Sequence, residues 1–117
     1  GGRAFDASSY DGIRMRYRIN SLPEYRTETG KVTEKTGYYL HVRTRQNRFP
    51  WAHFAAQLPS SLKASEGWTE ARVPWDSFEK QYSMVRKLRT DRLTSIAVVA
   101  AWGAFDASID IAYIGLY

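Results

Sequence analysis

Cysteine is absent from this chain of 117 residues. The absence excludes a disulfide framework and any metal site built on thiolates. It is compatible with a reducing compartment without requiring one, because many secreted domains also lack cysteine. Long apolar runs are missing as well, and none approaches the roughly 18 residues of a membrane-spanning helix. The chain starts with glycine rather than methionine and has no recognisable targeting peptide, so we expect it to be part of a longer protein.

Familiar catalytic motifs are also missing. The sequence contains no G-x-S-x-G, no H-E-x-x-H and no glycine-rich phosphate loop. Its two histidines, His41 and His53, have no acidic residue beside them at the spacing of metal ligands, so we predict no metal and no cofactor. Asp106 and Asp110 would lie about 13 Å apart on one strand, whereas the paired carboxylates of glycosidases lie about 5–10 Å apart. We therefore predict that the protein is not an enzyme.

The composition is that of a folded domain. Apolar residues make up 44% of the chain and charged residues 25%, an ordinary globular balance. At this length we expect residues 1–117 to form one domain. Aromatic residues reach 15%, and such side chains are common in strands. The aromatic residues predicted to lie in the core are Trp68, Trp75, Phe78 and Trp102.

Alternation of apolar and polar residues predicts an all-β fold. It is clearest over residues 13–19, where Ile13, Met15, Tyr17 and Ile19 alternate with three arginines. Many short strands separated by turns are typical of an antiparallel β-sandwich or barrel. The other predicted strands cover residues 38–45, 52–58, 68–74, 93–102 and 105–117.

The sequence of four segments supports more detailed predictions of local structure. Residues 93–102 are almost continuously apolar, which predicts a strand buried on both faces. The apolar positions change phase within residues 105–117, which predicts a β-bulge. Residues 20–37 are polar and are expected to form a long connection between two neighbouring strands. Residues 79–90 are the only stretch with helical character.

The positive charge is concentrated in the first part of the chain. The formal net charge is +5, and residues 1–48 contain ten Lys and Arg against five Asp and Glu. Residues 49–117 contain seven of each kind. An excess of this sort fits an acidic partner, such as nucleic acid, anionic lipid or an acidic protein surface. It also fits a basic face that serves only solubility, and both interpretations stay open.

Two predicted strands carry most of this charge. If strands 13–19 and 38–45 pair, their polar faces join into one basic plate with an embedded tyrosine and histidine. Arginines bind carboxylates and phosphates with two hydrogen bonds at once, so the plate would dock an anion or an acidic protein. An ordinary solvent-facing sheet is the alternative. The residues of the plate are Arg14, Arg16, Arg18, Tyr39, His41, Arg43 and Arg45.

A loop supplies one more candidate contact. Trp51 follows Phe49 and Pro50, and an exposed tryptophan beside proline is typical of a protein-binding hot spot or a sugar-stacking platform. The alternative is that Trp51 covers the end of the core, and the usual burial of large aromatic side chains favours it. We include Trp51 among the predicted partner-binding residues.

Several stretches resemble the complex I intermediate-associated protein 30 family. Residues 9–13, Ser-Tyr-Asp-Gly-Ile, followed by alternating arginines, are similar to the family's S-x-Y-D-G-I segment. Residues 68–78, running from Trp68 through Pro74 to Phe78, are similar to its W-x-x-V-x-I-P-F-x-x-F segment. The remaining likeness lies in residues 39–44, 93–98 and 103–117.

The resemblance implies a fold and a role. The family's fold is a galactose-binding-like jelly roll, and its members resemble assembly factors or chaperones for membrane complexes of mitochondria or plastids. It thus implies a non-catalytic module whose partners are protein subunits of a larger complex. Related jelly rolls are carbohydrate-binding modules, which makes an acidic glycan the second hypothesis. Binding of RNA through arginine and tyrosine side chains is the third.

Overall fold

The structure is a computed structural model that describes residues 4–22, 24–26, 32–35, 37–45, 53–59, 63–81, 87–100 and 108–117. Within these residues the secondary structure consists of strands and two short 3₁₀ turns, at Trp75–Ser77 and Thr90–Arg92. The strands are β1 (Gly12–Ser21), β2 (Glu24–Arg26), β3 (Val32–Lys35), β4 (Tyr38–Thr44), β5 (His53–Gln57), β6 (Thr69–Pro74), β7 (Glu79–Gln81), β8 (Leu93–Ala100) and β9 (Ser108–Leu116).

The strands form two main antiparallel sheets. One has three strands in the order β6-β1-β9, and the other has four in the order β7-β5-β4-β8. Among the strands that the structure describes, β2 and β3 pair only with each other, in antiparallel orientation. No helix among the described residues is long and apolar enough to cross a membrane.

The core lies between the two main sheets. Strand β1 supplies four fully buried side chains, and β4 supplies Leu40 and Val42 from the opposite sheet. These side chains belong to one apolar cluster, as expected when two sheets pack face to face. The all-β fold and the sandwich architecture are therefore confirmed, whereas the jelly-roll topology stays a prediction. The buried side chains of β1 are Ile13, Met15, Tyr17 and Ile19.

The predicted pairing of strands 13–19 and 38–45 is wrong. Strand β1 lies between β6 and β9, while β4 lies between β5 and β8 in the other sheet. The connection over residues 20–37 therefore passes from one sheet to the other instead of joining neighbours. It contains β2 and β3, which satisfy their backbone hydrogen bonds locally.

Strand β8 also departs from expectation. Its apolar sequence predicts burial on both faces, yet Ile96 is 38% exposed and the neighbouring Ser95 and Ala97 are exposed as well. Strand β8 pairs with β4 alone among the described strands, so it lies at the edge of its sheet. An edge strand lacks neighbours on one side, which leaves its side chains accessible whatever their polarity.

The phase change in the last strand is confirmed as a bulge. Arg16 on β1 pairs with Tyr113 on β9, whereas the next residue, Tyr17, pairs with Ile111. Ala112 is the extra residue in β9. The bulge lets Ile109 and Leu116, which differ by an odd number of positions, both pack against the core.

The helical expectation for residues 79–90 is wrong at its start. Glu79–Gln81 forms β7, which pairs with β5 at the edge of the four-stranded sheet. From Lys87 onward, where the structure again describes the chain, helical geometry is limited to the 3₁₀ turn at Thr90–Arg92. Residues 82–86 lie outside the described residues, as do Trp102 and Asp106.

The edge position of β8 predicts unequal tolerance to charge at two paired sites. Ile96 and Val42 are register partners on β8 and β4, but Val42 is fully buried. Lysine at position 42 would bury an unpaired charge, and we expect V42K to abolish folding. I96K should change the free energy of unfolding by less than about 1 kcal/mol. Urea denaturation followed by circular dichroism measures both, and equal destabilisation by the two variants would contradict the edge assignment.

Candidate functional site

The outer surface of the three-stranded sheet carries a dense set of arginines. Because side chains alternate along a strand, burial of the odd-numbered residues of β1 turns Arg14, Arg16 and Arg18 outward. Strand β6 has the same alternation, so Glu70 and Arg72 point to the same side. We call this surface the arginine face. Its residues are Arg14, Arg16, Arg18, Glu70, Arg72, Trp68, Asp110, Tyr113 and Tyr117.

Trp68 belongs to this face and not to the core. Its predicted burial is wrong, since 43% of the residue is exposed. Trp68 directly precedes β6 and keeps the outward phase of Glu70 and Arg72. The guanidinium carbons of Arg16 and Arg18 lie 5.6 and 4.9 Å from its ring centre, which is the range of cation–π contacts.

Two tyrosines hold the remaining arginines in the same way. The guanidinium carbon of Arg14 lies 5.6 Å from the ring centre of Tyr113. That of Arg72 lies 5.2 Å from the ring centre of Tyr117. Backbone hydrogen bonds fix Tyr117, which donates to the carbonyl of Gly12 and accepts from the amide of Asp11. Each of the four arginines on this face is thus stacked on an aromatic ring.

The acidic side chains of the face compensate only part of this charge. Arg18 forms a salt bridge of 2.8 Å with Asp110. Glu70 accepts a hydrogen bond of 2.7 Å from the Tyr113 hydroxyl. Within the described part of the chain, Arg14, Arg16 and Arg72 have no carboxylate at ion-pair distance. The arginine face therefore keeps an uncompensated positive charge.

The polar contacts of the arginine face also shift the pKa values of two of its side chains, Asp110 and Tyr113. A hydrogen bond from Asn20 and then one from Arg18 lower the pKa of Asp110 below its ordinary value, which keeps that side chain ionised. The hydrogen bond to Glu70 raises the pKa of Tyr113, so its hydroxyl stays a donor. Both effects leave the charge pattern of the face unchanged around neutral pH.

The other predicted plate residues lie on the opposite side of the sandwich. Tyr39, His41 and Arg43 are half-buried and alternate with the inward residues of β4. They face away from the arginine face because the two sheets are packed core to core. Arg45 is exposed just beyond the end of β4. A single plate formed by both strands is therefore wrong, and Trp51 lies outside the described residues.

A stacked histidine pair marks this second surface. The rings of His41 and His53 have centres 3.8 Å apart and planes 15° from parallel. Burial, and then the nearby charge of His53, lower the pKa of His41 below its ordinary value. Among the described residues no three His, Cys, Asp or Glu side chains are grouped so that they could hold a metal ion.

The sequence predicted three of the nine residues of the arginine face as partner-binding residues. It identified Arg14, Arg16 and Arg18, but it missed the aromatic supports and Arg72. One signal was available: Trp68, Glu70 and Arg72 alternate with the buried Ala71 and Val73, so they share the outward side of their strand. Tyr113 and Tyr117 could not be placed beside these arginines, because the pairing of β9 with β1 is not visible in the sequence.

Comparison with known proteins identifies no relative. No family model, no curated protein and no solved structure matches the chain. The resemblance to the complex I intermediate-associated protein 30 family therefore stays a prediction.

The support that Trp68 gives to two arginines predicts a stability effect. We expect W68L to lower the free energy of unfolding by about 1 kcal/mol, because exposed cation–π contacts contribute roughly 0.5–1 kcal/mol each. W68F keeps an aromatic ring and should retain part of this stability. Chemical denaturation compares the two variants, and equal losses would show that ring electrons are unimportant.

The lowered pKa of His41 predicts a pH dependence of stability. Its ordinary value is 6.5, so below that pH the unfolded state takes up a proton that the folded state resists. The contribution of neutral His41 to the free energy of unfolding is therefore fully present above pH 6.5. It declines as the pH falls toward the folded-state pKa. Thermal unfolding between pH 7.5 and 5 should show a smaller decline for H41Q than for the unmodified protein. If the thermal stability of both proteins declined equally over this pH range, His41 would not be the group responsible for the pH dependence.

Proposed function

We propose that this chain is a non-catalytic interaction module that docks an acidic protein partner through the arginine face. One observation carries the proposal: Arg14, Arg16 and Arg72 have no carboxylate partner among the described residues, yet each is held on an aromatic ring. Exposed arginines serving only solubility need no such support, because a hydrated side chain gains little from a fixed position.

Stacking also bears on the kind of partner. A guanidinium that lies on a ring still presents the N–H groups at its edge, which form two parallel hydrogen bonds with a carboxylate. The rings themselves are engaged by arginines, which leaves less of their surface for sugars or bases. This favours an acidic protein over the glycan and RNA hypotheses, both of which depend on free aromatic faces.

The spacing along β1 fits an extended acidic segment. Arg14 and Arg16 are two residues apart, which corresponds to about 6.6 Å on a strand. Alternate side chains of an extended peptide have the same spacing. A partner segment with an acidic residue at every second position would match this row.

The family resemblance supplies the biological setting of the proposal. In that setting the partner is a protein subunit of a larger membrane complex, in a mitochondrion or plastid, and the module assists its assembly. Attraction between oppositely charged surfaces speeds such encounters and selects against wrong partners.

A binding experiment with two octapeptides tests the proposal. One alternates Glu and Ser, and the other has the same composition in two blocks. We expect the alternating peptide to bind more tightly and to shift amide resonances of β1 and β6 in a two-dimensional NMR titration. R14E/R16E should weaken binding more than about tenfold, since hydrogen bonds between charged groups contribute roughly 1.5–3 kcal/mol each.

A charge-matched variant is the control. K63E/K87E changes the net charge equally at two exposed lysines outside the arginine face. It should bind the alternating peptide almost as the unmodified protein does, at the same ionic strength. Equal weakening by both double variants would mean that only net charge matters. Tighter binding of single-stranded RNA than of the peptide would favour the RNA hypothesis instead.

A further inference from the structure

Two arginines of the arginine face stand directly opposite each other. Arg14 on β1 and Arg72 on β6 are register partners, which places their Cα atoms about 4.5–5.5 Å apart. Like charges in this position destabilise a sheet. Opposite-charge pairs are the usual arrangement on neighbouring strands, and the next outward pair, Arg16 with Glu70, follows it.

Each member of the pair is held by its own ring. Arg14 lies over Tyr113 and Arg72 over Tyr117. Two guanidiniums fixed separately can approach one ligand without first losing side-chain freedom, which is the main cost of ordering an arginine on binding. The pair is thus prepared for a ligand that both side chains can contact.

An open groove connects the two side chains. Arg14 and Arg72 line it together with Glu70 and Tyr113. Glu70 accepts its hydrogen bond from the Tyr113 hydroxyl, and Arg16 is its neighbour in the sheet. The groove is therefore lined by two guanidiniums and one carboxylate, and the carboxylate is already engaged by the Tyr113 hydroxyl.

We propose that the Arg14–Arg72 pair binds a phosphoryl dianion carried by the acidic partner protein, that is, a phosphorylated side chain. This inference rests on the proposed function and specifies the chemistry of one contact within it. A phosphate monoester carries about −1.5 to −2 charges at pH 7 and three strong acceptor oxygens. It can match the two positive charges of the Arg14–Arg72 pair and accept from both guanidiniums, whereas one carboxylate would match only one of these charges.

The test compares two small ligands at constant ionic strength: N-acetyl-phosphoserine amide and N-acetyl-glutamate amide. We expect the phosphoserine ligand to bind at least about tenfold more tightly at pH 7.5 and to shift the Arg14 and Arg72 Nε–Hε resonances. Its preference should shrink toward pH 5, because the second phosphate ionisation has a pKa of about 6. R72Q should weaken phosphoserine binding about tenfold, and K87Q should leave it unchanged.

R72K separates charge from geometry. It keeps the positive charge but loses the planar pair of donors, so we expect an affinity between those of R72Q and the unmodified protein. If R72Q fails to fold, as judged by circular dichroism, R72K and the two-ligand comparison on the unmodified protein still decide the question.

Two outcomes would overturn the inference. Equal affinity for the two ligands at pH 7.5 would rule out a dianion site. The site would also be ruled out if phosphoserine shifted the resonances of other arginines and bound R72Q and R72K as tightly as the unmodified protein. If the alternating Glu-Ser peptide still binds the arginine face in that case, the proposed docking function stands and only the phosphoryl site is lost. If the peptide fails as well, both proposals fall.

Discussion

The strict alternation of β1 is the constraint on which the rest of the structure depends. Ile13, Met15, Tyr17 and Ile19 are fully buried, and this burial obliges the residues between them to face solvent. As β1 is the central strand of its sheet, the same alternation aligns both neighbours. A shift of one residue would place three arginines in the core, which no domain of this size could tolerate.

The outward arginines of β1 repel one another, and residues of the neighbouring strands partly compensate this repulsion. Arginines crowd one side of the sheet, and β6 adds Arg72 opposite Arg14. Among the described residues, Arg18 is the one arginine of this face that forms a salt bridge. For the others the sheet supplies aromatic rings, which attract cations without neutralising them. The face is stabilised and stays positive, the combination that a docking surface for anions requires.

The predictions from sequence succeeded where the governing pattern is local and failed where it is not. Six of the nine described strands were expected near their observed bounds, and the bulge in β9 was predicted from its change of phase. The edge position of β8 could not be read, because a β-branched apolar run looks the same at an edge and in the centre of a sheet. The core assignment of Trp68 failed for a related reason: size and aromaticity were weighed, while the outward phase of its strand was not.

The sequence by itself determined which side chains share a face, because the two-residue repeat of a strand is a local property of the backbone. It thereby determined the all-β class and the outward row of Arg14, Arg16 and Arg18. Only the tertiary structure decided which strands are neighbours. Pairing joins residues far apart in the chain, such as Arg14 with Arg72 and Arg18 with Asp110, and depends on competition among all strands for partners. For that reason the arginines were foreseen, whereas the rings beneath them and the second guanidinium opposite Arg14 were not.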